Sequence, residues 1–144
     1  MRLVIIGCGV MGALLANTLS QEGHQVTIVD NDPKAFRRLR EDFDGKTVLG
    51  TGFDEEVLER AAVGSSDVVL AVTNNDNVNL FAAQLVRKKF GVPRVLVRLF
   101  DPEKEKIYQD EGLELICLTT FGARAFQAAL TNERSVESAQ AFDR

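Results

Sequence analysis

Gly7-Cys8-Gly9-Val10-Met11-Gly12 is the stretch whose reading decides the fold. It follows the short apolar run Leu3-Val4-Ile5-Ile6 and opens the helix-patterned Ala13-Leu14-Leu15-Ala16-Asn17-Thr18-Leu19. An acid, Asp30, closes the next β-rich run, Gln25-Val26-Thr27-Ile28-Val29, 18 residues after Gly12. Strand, glycine turn, helix, strand and terminal acid in this order form the dinucleotide-binding βαβ arrangement. Gly7 permits the tight strand-to-helix turn, Gly9 lets backbone approach a pyrophosphate, and Gly12 lets helix and strand pack closely. The helix start offers unpaired N–H groups and a positive dipole end to phosphates. Asp30 can accept hydrogen bonds from both hydroxyls of a ribose. The bland alternative is a relic loop that keeps the fold without a ligand.

Outward from this unit, the apolar periodicity predicts a regular alternation. A first strand over residues 2–7 leads to a helix over 10–22, stopped by Gly23, and a second strand runs over 25–30. Asp32-Pro33 reads as a helix start, capped by Asp32. That second helix is expected to turn Phe36, Leu39 and Phe43 inward and Arg37, Arg38 and Arg40 to solvent. Those arginines suggest a 2′-phosphate clamp, but the Asp30 carboxylate would repel that phosphate, which favours a solvated face. Thr47-Val48-Leu49 is a short strand meeting Gly50-Thr51-Gly52-Phe53, and Asp54 starts the next helix with Glu55 and Glu56 suiting its dipole. Val68-Val69-Leu70-Ala71-Val72 reads as a strand buried on both faces and ends in the polar loop Thr73-Asn74-Asn75-Asp76-Asn77. Ligands of open α/β sheets sit at that edge, so the loop is a candidate for the site, with helix capping by Asn75 or Asp76 as its alternative.

A helix over 76–90 is stopped by Gly91-Val92-Pro93, and the strand from Arg94 to Leu99 carries Arg98 between apolar neighbours, where it needs a partner or an anion. Asp101-Pro102 starts a further helix, Leu115 to Leu118 is the sixth strand, and a last helix runs from Thr119 to Leu130. Residues 132–144 read as a polar linker or tail. The expected fold is an α/β doubly wound, Rossmann-like parallel sheet of order 3-2-1-4-5-6 over residues 1–131. Such a domain leaves no room for the second, substrate-binding domain a dehydrogenase normally needs.

The 144 residues carry a formal net charge of −4, with 45% apolar and 26% charged residues. This balance disfavours nucleic acid and anionic membrane surfaces as partners. No run approaches the ~20 apolar residues that span a bilayer, and the start of the chain predicts no signal peptide. Cys8 and Cys117 lack metal-like or redox-like spacing and are expected to be small buried thiols. His24 is the single histidine, so triads and histidine metal sites are not expected; it reads as a solvated turn residue. No catalytic and no metal-ligating residues are predicted.

Over nearly its whole length the sequence resembles the TrkA-N, KTN or RCK N-lobe family, the nucleotide-binding lobes of cytosolic regulators of potassium channels and transporters. The pieces that carry the resemblance are Val4 to Gly12, Val29 to Pro33, Gly50 with Asp54 to Leu58, and Ala61-Ala62-Val63. Asp67 to Asp76 followed by Asn79, and Val97 to Pro102, complete them. The resemblance implies that NAD(H), or ATP/ADP, is bound without chemistry at Gly7, Cys8, Gly9, Val10, Met11, Gly12, Asp30 and Asn31. It extends that site to Gly50, Thr51, Gly52, Phe53, Thr73, Asn74, Asn75, Asn77 and Arg98. It also implies a homodimer, or a ring built from dimers, beneath an integral-membrane potassium transporter or channel subunit on the cytoplasmic side. The final helix, with Phe121, Phe126 and Leu130, is then a crossover helix burying itself on a partner lobe; a sheet-covering helix is the alternative.

The chain departs from the family pattern at three positions. Val10 stands where many members carry a phosphate-facing arginine, Thr51 where an acid lies near the adenine, and Thr119 where one branch has a nucleotide-reaching acid. These departures favour NAD(H) over ATP with a divalent ion. The family's C-terminal ligand lobe is not in this sequence. Two other functional classes remain open: an NAD-dependent oxidoreductase fragment, resting on fold analogy alone, and an interaction scaffold with a degenerate cleft.

Overall fold

The computed structural model describes residues 1–131, so the tail expected over 132–144 lies outside the described residues. The elements in chain order are β1 (Arg2–Ile6), α1 (Val10–Gln21), β2 (Gln25–Asp30), a 3₁₀ helix (Pro33–Arg38) and β3 (Lys46–Leu49). Next come α2 (Glu55–Arg60), a 3₁₀ turn (Val63–Ser65), β4 (Val68–Ala71) and α3 (Asp76–Phe90). The chain then forms β5 (Arg94–Leu99), α4 (Pro102–Tyr108), β6 (Glu114–Cys117) and α5 (Leu118–Thr131). All neighbouring strands pair in parallel, in the order β3-β2-β1-β4-β5-β6. This is the doubly wound sheet expected from the alternation.

The two-residue period of a strand sorts its side chains onto two faces. Val4 and Ile6 of β1 join Val29, Val69, Val95 and Val97 under Leu58 of α2 and Leu80, Ala83 and Val86 of α3. Leu3 and Ile5 join Val26, Ile28, Val68 and Leu70 under Ala13 and Ala16 of α1. Both faces of β1 and β4 are therefore covered, which is why those runs are continuously apolar. Three helices start on side-chain caps: Asp54, Asn75 and Asp101 accept the N–H of Glu56, Val78 and Glu103 at 2.9, 3.0 and 2.9 Å. Each such cap contributes about 1 kcal/mol.

Two expectations need correction. The second helix is a short 3₁₀ helix that stops at Arg38, with Leu39 already extended. Asn17 of α1 causes the stop, because its amide satisfies backbone that a continuing helix would use. Its Nδ2 donates to the Arg38 carbonyl at 3.4 Å and its Oδ1 accepts the Arg40 N–H at 3.0 Å. Phe36, Leu39 and Phe43 still face inward as expected. The sixth strand ends at Cys117, and Leu118 opens α5 without an intervening loop. The structure separates the two readings of the last helix: α5 buries none of its residues, and Phe121, Phe126 and Leu130 are 64, 78 and 88% exposed. It does not act as a sheet-covering helix within this chain.

Candidate nucleotide site

A cleft of about 690 Å³ opens at the carboxyl edge of the sheet. It lies at the topological switch point, where the chain winds away from β1 towards β2 on one side and β4 on the other. Its floor is the turn from Gly7 to Met11. Gly7 adopts φ +108°, and a Cβ there would meet Thr73 backbone at 3.0 Å, so only glycine fits without strain. Gly12 lies against the turn itself, since an added Cβ would fall 1.8 Å from the Gly7 carbonyl oxygen. Gly9 has open space where its Cβ would be. The three glycines thus divide as the sequence suggests into turn, open approach and close packing.

Above this floor stands the start of α1. Unlike α2, α3 and α4, it has no side-chain cap. Ala13 is the first residue whose N–H closes a helical bond, onto the Gly9 carbonyl at 2.9 Å. The N–H groups of Val10, Met11 and Gly12 precede it and have no partner within the helix. Together with the helix dipole they favour an anion.

Asp30 stands at the end of β2 in the same cleft. One carboxylate oxygen accepts the Cys8 N–H and the other the Asp32 N–H, each at 2.8 Å. The acid therefore fixes the glycine turn as well as facing the cleft, and each oxygen retains a lone pair for a ligand hydroxyl. Cys8 is wholly buried with its thiol directed at the Ala35 carbonyl at 3.3 Å. Burial first, then the negative charge of Asp30, push that thiol up to about 11, with Arg38 opposing. It is an inert packing thiol, as is the buried Cys117.

The remaining walls come from Asn31 beyond β2, from Gly50, Thr51, Gly52 and Phe53 beyond β3, from Thr73, Asn74 and Asn75 beyond β4, and from Arg98 of β5. Sixteen of the seventeen predicted site positions are brought to this hollow or its immediate floor, counting Gly12 beneath the turn. Asn77 is not. It is exposed on the first turn of α3, whereas Asn75 and Val78, three residues apart on one helix face, line the cleft. Both readings of the polar loop hold together, since Asn75 caps α3 and also faces the cleft. Asp76 does something else: its buried carboxylate accepts the N–H of Phe100 and Asp101 at 2.9 and 3.0 Å, tying α3 to the end of β5. Buried Asn79 closes the same junction through Thr73 and the Arg98 carbonyl.

Arg98 finds the partner its position demands. Nη1 donates to the Val72 carbonyl at 3.2 Å and the guanidinium lies 4.5 Å above the Phe100 ring, while Nε has no partner. Burial lowers its pKa and the Asp76 charge opposes that shift.

Arg38 is exposed, as a solvated face requires, but sequence reasoning missed its second role. Its Nη1 turns back to the Cys8 carbonyl at 3.3 Å and its side chain lines the cleft. The contact spans 30 residues, and no local pattern announces it. The other sizeable hollow, about 550 Å³ at the amino edge near Arg2, Gln25, Lys46 and Ser65, faces the ends rather than the starts of α1 and α2 and offers no comparable anion site. Among the described residues no three His, Cys, Asp or Glu converge as metal ligands, and no helix is long and apolar enough to cross a membrane.

Parallel sheet, uncapped glycine turn and strand-end acid together are those of a Rossmann-type domain of the nucleotide-binding pattern. More narrowly, the chain belongs to the TrkA-N domain family, which matches residues 3–119. It is 40% identical over 123 residues to the Trk system potassium uptake protein TrkA of Streptomyces coelicolor, covering 85% of this chain and 55% of that protein. The chain spans about half the length of the first curated relatives it matches. In fold it is similar to the AMP-bound Kef C-terminal domain of Shewanella denitrificans (TM-score 0.76, 19% identity, 99% of this chain and 89% of that one). It is also similar to the GsuK channel bound to NAD (TM-score 0.67, 19% identity, 80% of this chain and 21% of that one). The family read from the sequence is therefore the family of the chain.

Proposed function

We propose that the chain is the nucleotide-binding lobe of a regulator of potassium uptake, holding an adenine nucleotide as a signal without transforming it. The observation that carries this reading is the uncapped start of α1 facing the same cleft as the Asp30 carboxylate. Phosphate suits the free N–H groups of Val10, Met11 and Gly12, and ribose hydroxyls suit Asp30. The site residues are the sixteen gathered above, with Arg38 added and Asn77 set aside. NAD(H) is the preferred ligand and ATP or ADP the alternative, because the family's phosphate-facing arginine is replaced by Val10 and no acid stands at Thr51 or Thr119. The relatives support the chemistry: one neighbour in fold holds AMP and another NAD.

Nothing the cleft presents is a poised nucleophile or general base. Asp30 already accepts two backbone N–H groups, Asp32 caps the following helix, and the Cys8 thiol is held protonated. That set supports binding without turnover. Phe81 of α3, Ile107 of α4 and the α5 stripe are exposed apolar side chains, which supports a homodimer, or a ring of dimers, joined through these helices. The membrane partner would be a potassium transporter or channel subunit, with this lobe on its cytoplasmic side.

The test is mass spectrometry of nucleotide co-purifying with the protein, followed by calorimetry with NAD+, NADH, ATP, ADP and AMP. Potassium uptake would be measured in cells lacking the protein, with and without complementation. Unchanged uptake refutes the regulatory role. Hydride transfer by the isolated chain would favour an oxidoreductase instead.

A further inference from the structure

Resting on the nucleotide reading above, we infer that Arg38 is the base-binding residue of the cleft, stacking its guanidinium on the purine of the bound nucleotide. Arg38 is held in place from two directions. Its backbone carbonyl accepts from Asn17 Nδ2 at 3.4 Å, and its Nη1 donates to the Cys8 carbonyl at 3.3 Å. None of the ion pairs among the described residues involves it, so no carboxylate among those residues uses its charge. The guanidinium stands over the glycine turn on the flank of the cleft that continues from Asp30 through Asn31 and Asp32. A base attached to a ribose on Asp30 would lie beyond that acid, between this flank and the one formed by Gly50, Thr51 and Gly52.

In the connection after β3 that also lines the cleft, Gly50 and Gly52 carry no side chain. A Cβ on Gly52 would fall 2.2 Å from Cγ2 of Ile6, so no side chain fits at that position. A tethered planar cation in a cleft whose lining also includes two glycines suits an aromatic ring, and the larger π face of a purine gains more from a guanidinium than a pyrimidine does. The competing role for Arg38, clamping a ribose 2′-phosphate, sets that phosphate against the Asp30 carboxylate in the same hollow. Arg38 thereby supplies, at the base, a cation that Val10 does not supply at the phosphates.

The experiment is calorimetry with AMP, UMP and adenosine 2′,5′-bisphosphate on the parent chain, Arg38→Ala and Arg38→Lys, each checked by thermal melting. The parent is expected to bind AMP at least about fivefold more tightly than UMP, and to prefer AMP over the bisphosphate. Both variants should lose AMP affinity by about tenfold and bring AMP and UMP within about twofold of each other. Lysine should fail to rescue because it lacks the planar fork. Three results overturn the proposal: lysine restoring parental AMP binding, AMP and UMP weakening equally in both variants, or the parent preferring the bisphosphate and losing that preference in Arg38→Ala. If the parent binds AMP normally and the variants are unchanged, only the role of Arg38 falls. If the parent binds none of the three probes, the nucleotide reading falls with it.

Discussion

Replacing Gly9 and Gly12 in parallel tests whether the opening turn is shaped for a ligand or only for folding. Gly9 has φ −76° and ψ −165°, a conformation open to any residue, and its missing Cβ has no atom within 4 Å. Alanine there forfeits a good N-cap, at a cost of up to about 1 kcal/mol, and regains roughly 0.4–1 kcal/mol by restricting the unfolded chain. The net change in stability stays within about 1 kcal/mol, or about 4 °C in Tm for a domain of this size. Gly12 behaves in the opposite way. Its Cβ would stand 1.8 Å from the Gly7 carbonyl oxygen and 2.8 Å from the carbonyl carbon, both backbone atoms that cannot swing aside. Relieving that overlap means parting α1 from the end of β1, which costs about 3–5 kcal/mol and lowers Tm by more than ~10 °C. Binding reverses the order of interest. Gly9→Val projects methyl groups into the open space over the turn through which a phosphate would approach α1, and losing even one or two charge-assisted hydrogen bonds, at about 1.5–3 kcal/mol each, weakens AMP or NAD+ by more than about tenfold. The assay is thermal melting followed by calorimetry with AMP and NAD+ on the variants that fold. A Gly9→Val protein that binds like the parent, or a Gly12→Ala protein that melts within a degree or two of it, refutes the reasoning.

Asp30→Ala should lower both affinity and Tm, because it removes the ribose acceptor and strands the Cys8 N–H, whose burial without a partner costs about 1–3 kcal/mol. Asp30→Asn keeps a single acceptor and should fall between the two, and an alanine variant with parental Tm would show that the acid does not hold the turn. Cys8 sets a pH dependence. Its thiol moves from an ordinary 9.0 to about 11 in the folded chain, so the folded state holds the proton more tightly than the unfolded state does. Stability should be unaffected below pH 9 and fall by on the order of 2 kcal/mol between pH 9 and 11. Urea titrations across that range should show the slope in the parent and not in Cys8→Ser. Phe126→Glu and Leu130→Glu should convert a dimer into a monomer in sedimentation experiments, with little loss of lobe stability because both side chains are exposed. A parent chain that sediments as a monomer at high concentration would refute the crossover role of α5.

What could be read from the sequence was local or periodic. Strand order followed from regular alternation, and the strand β5 was placed to the residue, because β-branched runs between glycine, proline and polar breaks have few other solutions. The caps Asp32, Asp54, Asn75 and Asp101 were legible for the same reason, since a short acceptor side chain before a helical run leaves its mark within three residues. The helix after Asp32 failed where an outside residue decided the outcome. Nothing in residues 33–43 reports that Asn17 will satisfy the backbone at Arg38 and Arg40 and end the helix there.

The same division runs through the site. The glycine turn and Asp30 announce themselves because their role depends on backbone shape and on a strand end, both fixed within one βαβ unit. Arg38 does not, because its role depends on reaching Cys8 across two elements, and an arginine in a polar stretch looks the same whether it points to water or back to the turn. Asp76 misleads in a comparable way: acid at the first position of α3 suits the helix dipole, yet its carboxylate is spent on the N–H groups that begin the turn after β5. That use has a consequence for the cleft. Asp76, Asn79 and Thr73 tie the ends of β4 and β5 together beside Arg98, whereas Arg38 ends the 3₁₀ helix and Phe53 lies in the connection after β3. Phe53 in turn packs edge-on against Phe81 of α3, with ring centroids 5.6 Å apart. Phe81 is more than half exposed, so the cleft wall that carries Phe53 and the exposed face of α3 meet at one aromatic contact.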